Sequence, residues 1–319
     1  MQNTSCLPSC EIQPRTRQVN LFGKTLLCKG YVCSRDGGPY RPKPDGIKLQ
    51  LTIIPLSYCP GKCPFCIAWP GIQRKDRLDP ARLENVLHQL KEQDIVRGIS
   101  ISGGEPFLDV PLLNWVINMA FEIFGTHIEV SVNTNGIGIE RIHELDMLSY
   151  IDAVHISRHH YDESINRQLF GIPVPDNRTL KQMLHSVEYP DLFVLNCMLM
   201  KDYIGTPEEA HRFLDFAIEM GAGKVCFITG NPVNDFVRQQ AVPYQTILRQ
   251  DDAQLLFTRS YQDYEFCSCQ DGVYVSAGGA LMEFYGRFTG MKSFPYVRGF
   301  VYGADNCLRT GFSGEVLLK

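Results

Sequence analysis

The sequence predicts an α/β fold built on a parallel sheet, and three observations carry that reading. Short β-rich runs alternate with amphipathic helical runs from residue 47 to about residue 230. The alternation repeats six times, which implies right-handed crossovers and a parallel sheet, closed or open, with chemistry at the C-terminal ends of its strands. Capping residues and glycines fall at the joints between the runs. The bulk numbers agree: 319 residues, 44% apolar and 21% charged, describe a globular chain, neither disordered nor fibrous. With 31 Lys plus Arg against 35 Asp plus Glu there is no broad basic surface for holding duplex nucleic acid. No apolar run of about 18 residues occurs, and the first 30 positions carry Asn3, Glu11, Arg15, Arg17 and Lys24, so a soluble, cytoplasmic protein without a membrane segment is expected.

The first strand is expected over Ile47 to Ser57. Asp79 then caps a helix with Pro80 at its first position, and Leu83, Val86, Leu87 and Leu90 form its apolar stripe. A second strand, Val96 to Ser102, ends in Gly103-Gly104, and a second helix from Asp109 to Phe124 stops at Gly125. Ile128 to Thr134 reads as the third strand, Ile139 to Tyr150 as the third helix, Ile151 to Arg158 as the fourth strand and Arg178 to Tyr189 as the fourth helix. Leu192 to Met200 is the fifth strand. Thr206, Pro207 and Glu209 open a fifth helix with a capping box, and Lys224 to Thr229 is the sixth strand. Three segments follow: an N-terminal extension over 1–46 containing cysteines, the core over 47–234, and a β-rich C-terminal cap over 235–319, where Val273 to Phe284 reads as two strands joined at Gly278-Gly279.

The chain has 12 cysteines, far more than a core of this size needs as bridges. In a reducing compartment such residues bind metal or react. Cys59-Pro60-Gly61-Lys62-Cys63-Pro64-Phe65-Cys66 puts three thiols on eight residues just after a strand. Three thiolates can hold three irons of a [4Fe–4S] cube and leave the fourth iron open, or can hold zinc with a distant fourth ligand. Cys28, Cys197 and Cys226 lie inside apolar runs, where free cysteine often serves as a small buried hydrophobe.

The C-x3-C-x-aromatic-C loop at the end of the first strand resembles the signature of the radical S-adenosylmethionine (radical SAM) superfamily. Ser102-Gly103-Gly104-Glu105-Pro106 is similar to that family's glycine-rich motif for the methionine amino group, and Thr134-Asn135-Gly136 is similar to a third strand-end motif. The resemblance covers about residues 47 to 230 and implies a partial (β/α)6 barrel. It implies a [4Fe–4S] cluster on Cys59, Cys63 and Cys66, S-adenosylmethionine on its open iron, and a flavodoxin- or ferredoxin-type electron donor. The product expected is a 5′-deoxyadenosyl radical that removes hydrogen from a substrate C–H bond. By the same likeness Phe65 lies near the adenine, Glu105 adds a compensating charge at the ammonium, and Ser102, Gly103, Gly104, Asn135, Ser157 and Asn196 line the cofactor.

Strand alternation puts His155, Ser157 and His159 on one face and Ile156, Arg158 and His160 on the other. His159 and His160 are candidates for an acid and a base, or with Arg158 for an anion site. Cys226 is a candidate hydrogen-atom donor, as thiols are in radical epimerases. An inward Asn196 puts Cys197 outward, in a structural role. Cys267, Cys269 and Cys307 are candidate ligands of a second iron–sulfur site, with unligated thiols as the alternative, and Cys6, Cys10, Cys28 and Cys33 form no recognised pattern. The substrate expected is a small polar metabolite or a peptide in a specialised biosynthetic or modification pathway, by epimerisation, dehydrogenation or bond formation. Residues 1–46 are too short for a winged-helix leader-binding module. The competing readings are a noncatalytic zinc or iron–sulfur scaffold and an RNA-modifying radical SAM enzyme, the latter disfavoured by the acidic balance.

Overall fold

The computed structural model describes residues 10–33, 49–66, 75–230, 234–243, 246–247, 253–260, 269–276, 281–286 and 295–319. An antiparallel hairpin comes first, β1 (Cys10–Leu21) and β2 (Lys24–Cys33), turning at Phe22 and Gly23, both at positive φ as a two-residue hairpin turn demands. Six parallel strands follow: β3 (Leu49–Ile53), β4 (Val96–Ile101), β5 (Glu129–Thr134), β6 (Ala153–Ser157), β7 (Phe193–Leu199) and β8 (Lys224–Thr229). Between and after them run α1 (Pro80–Glu92), α2 (Val110–Phe124), α3 (Glu163–Phe170), α4 (Asn177–Ser186), α5 (Pro207–Met220) and α6 (Asp235–Gln240). The remaining strands are β9 (Ala253–Ser260), β10 (Cys269–Ser276), β11 (Leu281–Gly286), β12 (Gly299–Tyr302), β13 (Leu308–Arg309) and β14 (Val316–Leu318).

All join one sheet in the order β14-β13-β12-β3-β4-β5-β6-β7-β8-β11-β10-β9-β1-β2. The flanks therefore extend the central arc: β12 runs parallel to β3, and β11 parallel to β8. The two ends also meet. Val297, entering β12, accepts from Lys29 N–H at 2.9 Å and donates to Leu27 O at 2.8 Å, so β2 lies against the opposite flank of the sheet.

One sheet face is packed under helices, with Leu51, Ile53, Ile99, Ile101, Val130, Val132, Val154, Ile156, Leu195 and Cys197 all buried. Alternation leaves Thr52, Ser100, Ser131, Asn133, His155, Ser157 and Asn196 on the other, part-buried face. The helices form where capping and periodicity dictate. Asp79 accepts from Ala81 and Arg82 N–H at the head of α1, whose Leu83, Val86, Leu87 and Leu90 are buried, each stabilising by about 2 kcal/mol. Thr206 accepts from Glu209 N–H to start α5, and Gly221 closes it at φ 86°. Among the described residues one helical run, Pro106–Phe124, is long and apolar enough to cross a membrane, but its Val110, Leu113, Val116, Ile117 and Ala120 pack into the core.

Two expectations fail. Residues 139–150 form no α-helix but two 3₁₀ turns, Ile139–Glu144 and Leu148–Tyr150. The buried positions Ile139, Ile142 and Leu145 recur every three residues, which is the 3₁₀ period. Conversely α3 was not foreseen, although Asp162 caps it and Gly171 ends it at φ 66°.

Candidate active site

Three segments meet at the C-terminal ends of β3, β4 and β5. After β4, Ser102 N–H donates to Ile53 O (2.9 Å), Gly104 N–H to Leu56 O (3.0 Å) and Glu105 N–H to Tyr58 O (2.9 Å). The Gly-Gly-Glu turn is thereby zipped to the chain leading into the first cysteine. A Cβ at Gly103, which has φ +116°, would lie 2.2 Å from Ile54 Cγ2, and one at Gly104 would lie 2.0 Å from Tyr58 O. Only glycine permits this approach. The close approach that these glycines make is to residues 54–58 of the chain itself.

Glu105 is 1% exposed. Its carboxylate accepts from Thr134 Oγ1–H (2.7 Å), Asn135 N–H (2.8 Å) and Phe107 N–H (3.2 Å). Burial pushes its pKa up to about 7, against the lowering effect of those three donors. It thus clasps β4 to β5. Asn135, fixed by this clasp, donates from Nδ2 to Cys59 Sγ at 3.6 Å and accepts at Oδ1 from Ile137 N–H at 2.9 Å.

Gly61 N–H donates to Cys59 Sγ at 3.3 Å, and a Cβ at Gly61 would stand 3.3 Å from Cys59 Sγ and 3.5 Å from Cys63 Sγ. Burial, then Cys66 and Cys59, push Cys63 up to about 12; burial raises Cys59, with Glu105 and Cys66 adding to it. The three thiols act as one electrostatic unit whose thiolate form needs a cation. Among the described residues no three His, Cys, Asp or Glu side chains are gathered as a single metal ion requires. A [4Fe–4S] cluster takes one thiolate per iron, so three separate thiols on one loop suit it. The loop is gripped from behind: Lys62 N–H donates to Phe170 O (2.8 Å) and Asn234 Nδ2 to Pro64 O (2.8 Å). Phe65, buried between Cys63 and Cys66, packs edge-on against His159 with ring centroids 4.7 Å apart.

The ends of β6 and β7 form the adjoining wall. Strand β6 stops at Ser157, so alternation does not reach the histidines. His159 is buried, stacks on Phe170 at 5.2 Å, and accepts at Nδ1 from Met198 N–H (3.1 Å); burial drives its pKa down to about 3. His160 Nδ1 accepts from Asp162 N–H at 2.9 Å. Arg158 is 2% exposed and spends its guanidinium on Pro175 O (2.8 Å) and Asn177 Oδ1, leaving Nε without an acceptor; burial lowers its pKa to about 10. All three residues proposed for acid–base or anion chemistry are buried and bonded to the chain's own groups. The organiser here is Asn166, missed in the sequence because it sits in the unforeseen α3. Its Oδ1 accepts from His159 and His160 N–H (2.9 and 3.1 Å), while Nδ2 donates to Asp162 O at 3.0 Å and to His160 O.

Register places Ser157, Asn196 and Cys226 side by side on the part-polar face, with His155 Nδ1 3.2 Å from Asn196 Oδ1. Cys226 is 1% exposed there, whereas Cys197 is fully buried on the helix side. Among the candidate auxiliary ligands, Cys267 lies outside the described residues, Cys269 begins β10, and Cys307 follows β12, where its Sγ donates to Asp305 O (3.6 Å). Strands β9, β1 and β2 stand between β10 and the segment entering β12, so the structure does not gather Cys269 and Cys307.

No curated protein matches the chain. Streptococcus suis SuiB bound to precursor peptide SuiA is similar over 67% of this chain and 49% of its own, at 21% identity and a TM-score of 0.50. Streptococcus suis SuiB bound to S-adenosylmethionine is similar over 57% and 39%, at 23% identity and a TM-score of 0.42. Native anSMEcpe with bound AdoMet is similar over 56% and 50%, at 18% identity and a TM-score of 0.40. The chain therefore spans half or less of these three solved chains, and the likeness is one of fold. Residues 53–214, just over half of the sequence and containing the cysteine loop, Glu105 and Asn135, match the radical SAM superfamily, and the chain belongs to that superfamily of enzymes, which use a [4Fe–4S] cluster and S-adenosylmethionine.

Proposed function

We propose that this enzyme abstracts hydrogen from a C–H bond of a small polar metabolite or a peptide, in a specialised biosynthetic or modification pathway. One observation carries the reading: Asn135 joins all three motifs, with its N–H on Glu105 and its Nδ2 on Cys59 Sγ. When bound, the cluster and S-adenosylmethionine supply a 5′-deoxyadenosyl radical, generated with one electron from a flavodoxin- or ferredoxin-type donor. The chain's own residues do the rest. Cys59, Cys63 and Cys66 would hold the cluster; Asn135 Nδ2 and Gly61 N–H donate to Cys59 Sγ and would stabilise negative charge there. Phe65, His159 and Phe170 pack ring against ring beside the loop and fix Phe65 between its second and third cysteines. Ser157, Asn196 and Cys226 set a hydroxyl, an amide and a thiol in one row on the part-buried face, where a ribose or substrate is to be held.

The test is anaerobic reconstitution with iron and sulfide, followed by iron counting and a reductant-dependent assay for 5′-deoxyadenosine, with wild type beside C59A/C63A/C66A. Because SuiB with SuiA shares this fold, peptides belong in the substrate panel. Loss of about four irons and of all cleavage in the triple variant supports the proposal. Zinc in the loop, or a loaded cluster that never cleaves S-adenosylmethionine with any panel member present, overturns it in favour of a metal-binding scaffold.

A further inference from the structure

Polar side chains on the part-buried face of β4–β7 divide into those that the sheet satisfies and those that it leaves open. Asn133 belongs to the first kind, because its Nδ2 donates to Ser100 Oγ (3.0 Å) and Ile101 O (3.3 Å). Ser157 and Asn196 stand opposite each other in register, and among the described residues neither Ser157 Oγ nor Asn196 Nδ2 has a hydrogen-bond partner. A part-buried hydroxyl and amide that the chain does not satisfy are open to a ligand.

The Asn196 amide is constrained in which edge it offers. His155 lies on the same face two residues before Ser157, and it pairs in register with Val194, two residues before Asn196. Its Nδ1 is 3.2 Å from Asn196 Oδ1. An amide oxygen only accepts, so the hydrogen between them belongs to Nδ1. His155 therefore holds Oδ1 toward the N-terminal ends of the strands. Nδ2, on the other side of the amide carbon, is turned toward the C-terminal ends, where Glu105, Asn135 and Cys59 lie. Rotated half a turn, the same side chain would present an acceptor there in place of its two N–H groups.

We infer that His155 is a positioning residue for the cofactor: by fixing the Asn196 amide, it makes the place beside Ser157 select an oxygen acceptor, a hydroxyl or carboxylate oxygen of S-adenosylmethionine. His155 acts only through Asn196. Without it the amide can turn its own oxygen toward the ligand, which replaces a hydrogen bond with two opposed acceptors. The inference rests on the reading that Ser157 and Asn196 line the cofactor, and it is independent of which C–H bond the enzyme attacks.

Two measurements on the full chain test it. The first needs no cluster: NMR of isotope-labelled histidine shows which ring nitrogens of His155 bear hydrogen, with its signals identified by their loss in H155N. Hydrogen on Nδ1 supports the inference, and a bare Nδ1 overturns it. The second is equilibrium dialysis of S-adenosylmethionine against the reconstituted enzyme. H155F keeps a ring and removes the donor, whereas H155N keeps a donor where Nδ1 stood. The dissociation constant should rise about tenfold in H155F, return to within about twofold of wild type in H155N, and rise no further when H155F is added to N196A. An unchanged constant in H155F, no recovery in H155N, or an equal loss in the N196A background overturns the inference. Should H155F fail to fold, H155L, smaller and equally without a donor, is read in the same way. An enzyme that binds S-adenosylmethionine in this pattern but attacks no panel substrate would sink the proposed function and leave the role of His155 standing.

Discussion

The strand ends of β3–β5 and of β6–β7 carry comparable densities of polar residues and are put to opposite use. In the first, glycine lets two backbone segments touch and a buried carboxylate gathers three donors, which leaves thiols and an amide directed at one loop. In the second, Arg158, His159 and His160 are consumed by the chain's own carbonyls, amides and rings. The difference teaches that charge at a strand end marks a site only when the fold leaves it a free partner. Both regions contain a buried titratable group, Glu105 and His159, and that pairing can be broken experimentally.

The largest effect is expected at Gly104. With a Cβ 2.0 Å from Tyr58 O, which is backbone and cannot swing away, G104A should cost about 3 kcal/mol in urea unfolding and remove iron from the reconstituted loop. G103A should behave similarly, since its φ of +116° is unsuited to alanine.

Next comes the pH dependence. Glu105 has a folded pKa raised from 4.5 to about 7, so its contribution is fully present below pH 4.5 and is lost as pH rises to about 7. His159 has a folded pKa lowered from 6.5 to about 3, so its contribution is present above pH 6.5 and is lost as pH falls toward 3. Between pH 4.5 and 6.5 the two slopes oppose each other. E105Q should therefore unmask stability that rises with pH there, and H159N stability that falls, each by up to about 1.4 kcal/mol per pH unit. Equilibrium unfolding at half-unit intervals reads both, and a single variant with an unchanged slope refutes the assignment for that residue.

A smaller effect is expected at Asn166, where N166A leaves His159 and His160 N–H without their shared acceptor and should cost about 2 kcal/mol without altering iron content. The smallest is N135A, which removes one donor from Cys59 Sγ. It should lower stability by about 1 kcal/mol and make the reduction potential of the loaded cluster more negative, as read by redox titration.

Much of this arrangement was legible in the sequence. The α1 and α5 caps, the buried stripe of α1 and the span of β8 follow from local rules that tertiary context did not override. The cysteine spacing, the Gly-Gly-Glu-Pro turn and the Asn-Gly end of β5 could each be located before any contact was known. What periodicity hid was residues 139–150, where apolar spacing of three mimics a helix while specifying 3₁₀ turns, and α3, too short to show a pattern. Alternation also failed past Ser157, because a strand's two-residue period ends where its hydrogen-bond ladder ends.

The sequence by itself determined the elements and the chemistry-bearing residues, because capping, periodicity and residue type act over a few positions. Only the tertiary structure decided how those residues are spent. Glu105 became a clasp, His159 a buried neutral ring, and the two flanks a closure of the sheet at Val297, since burial and hydrogen-bond satisfaction depend on partners dozens to hundreds of residues away.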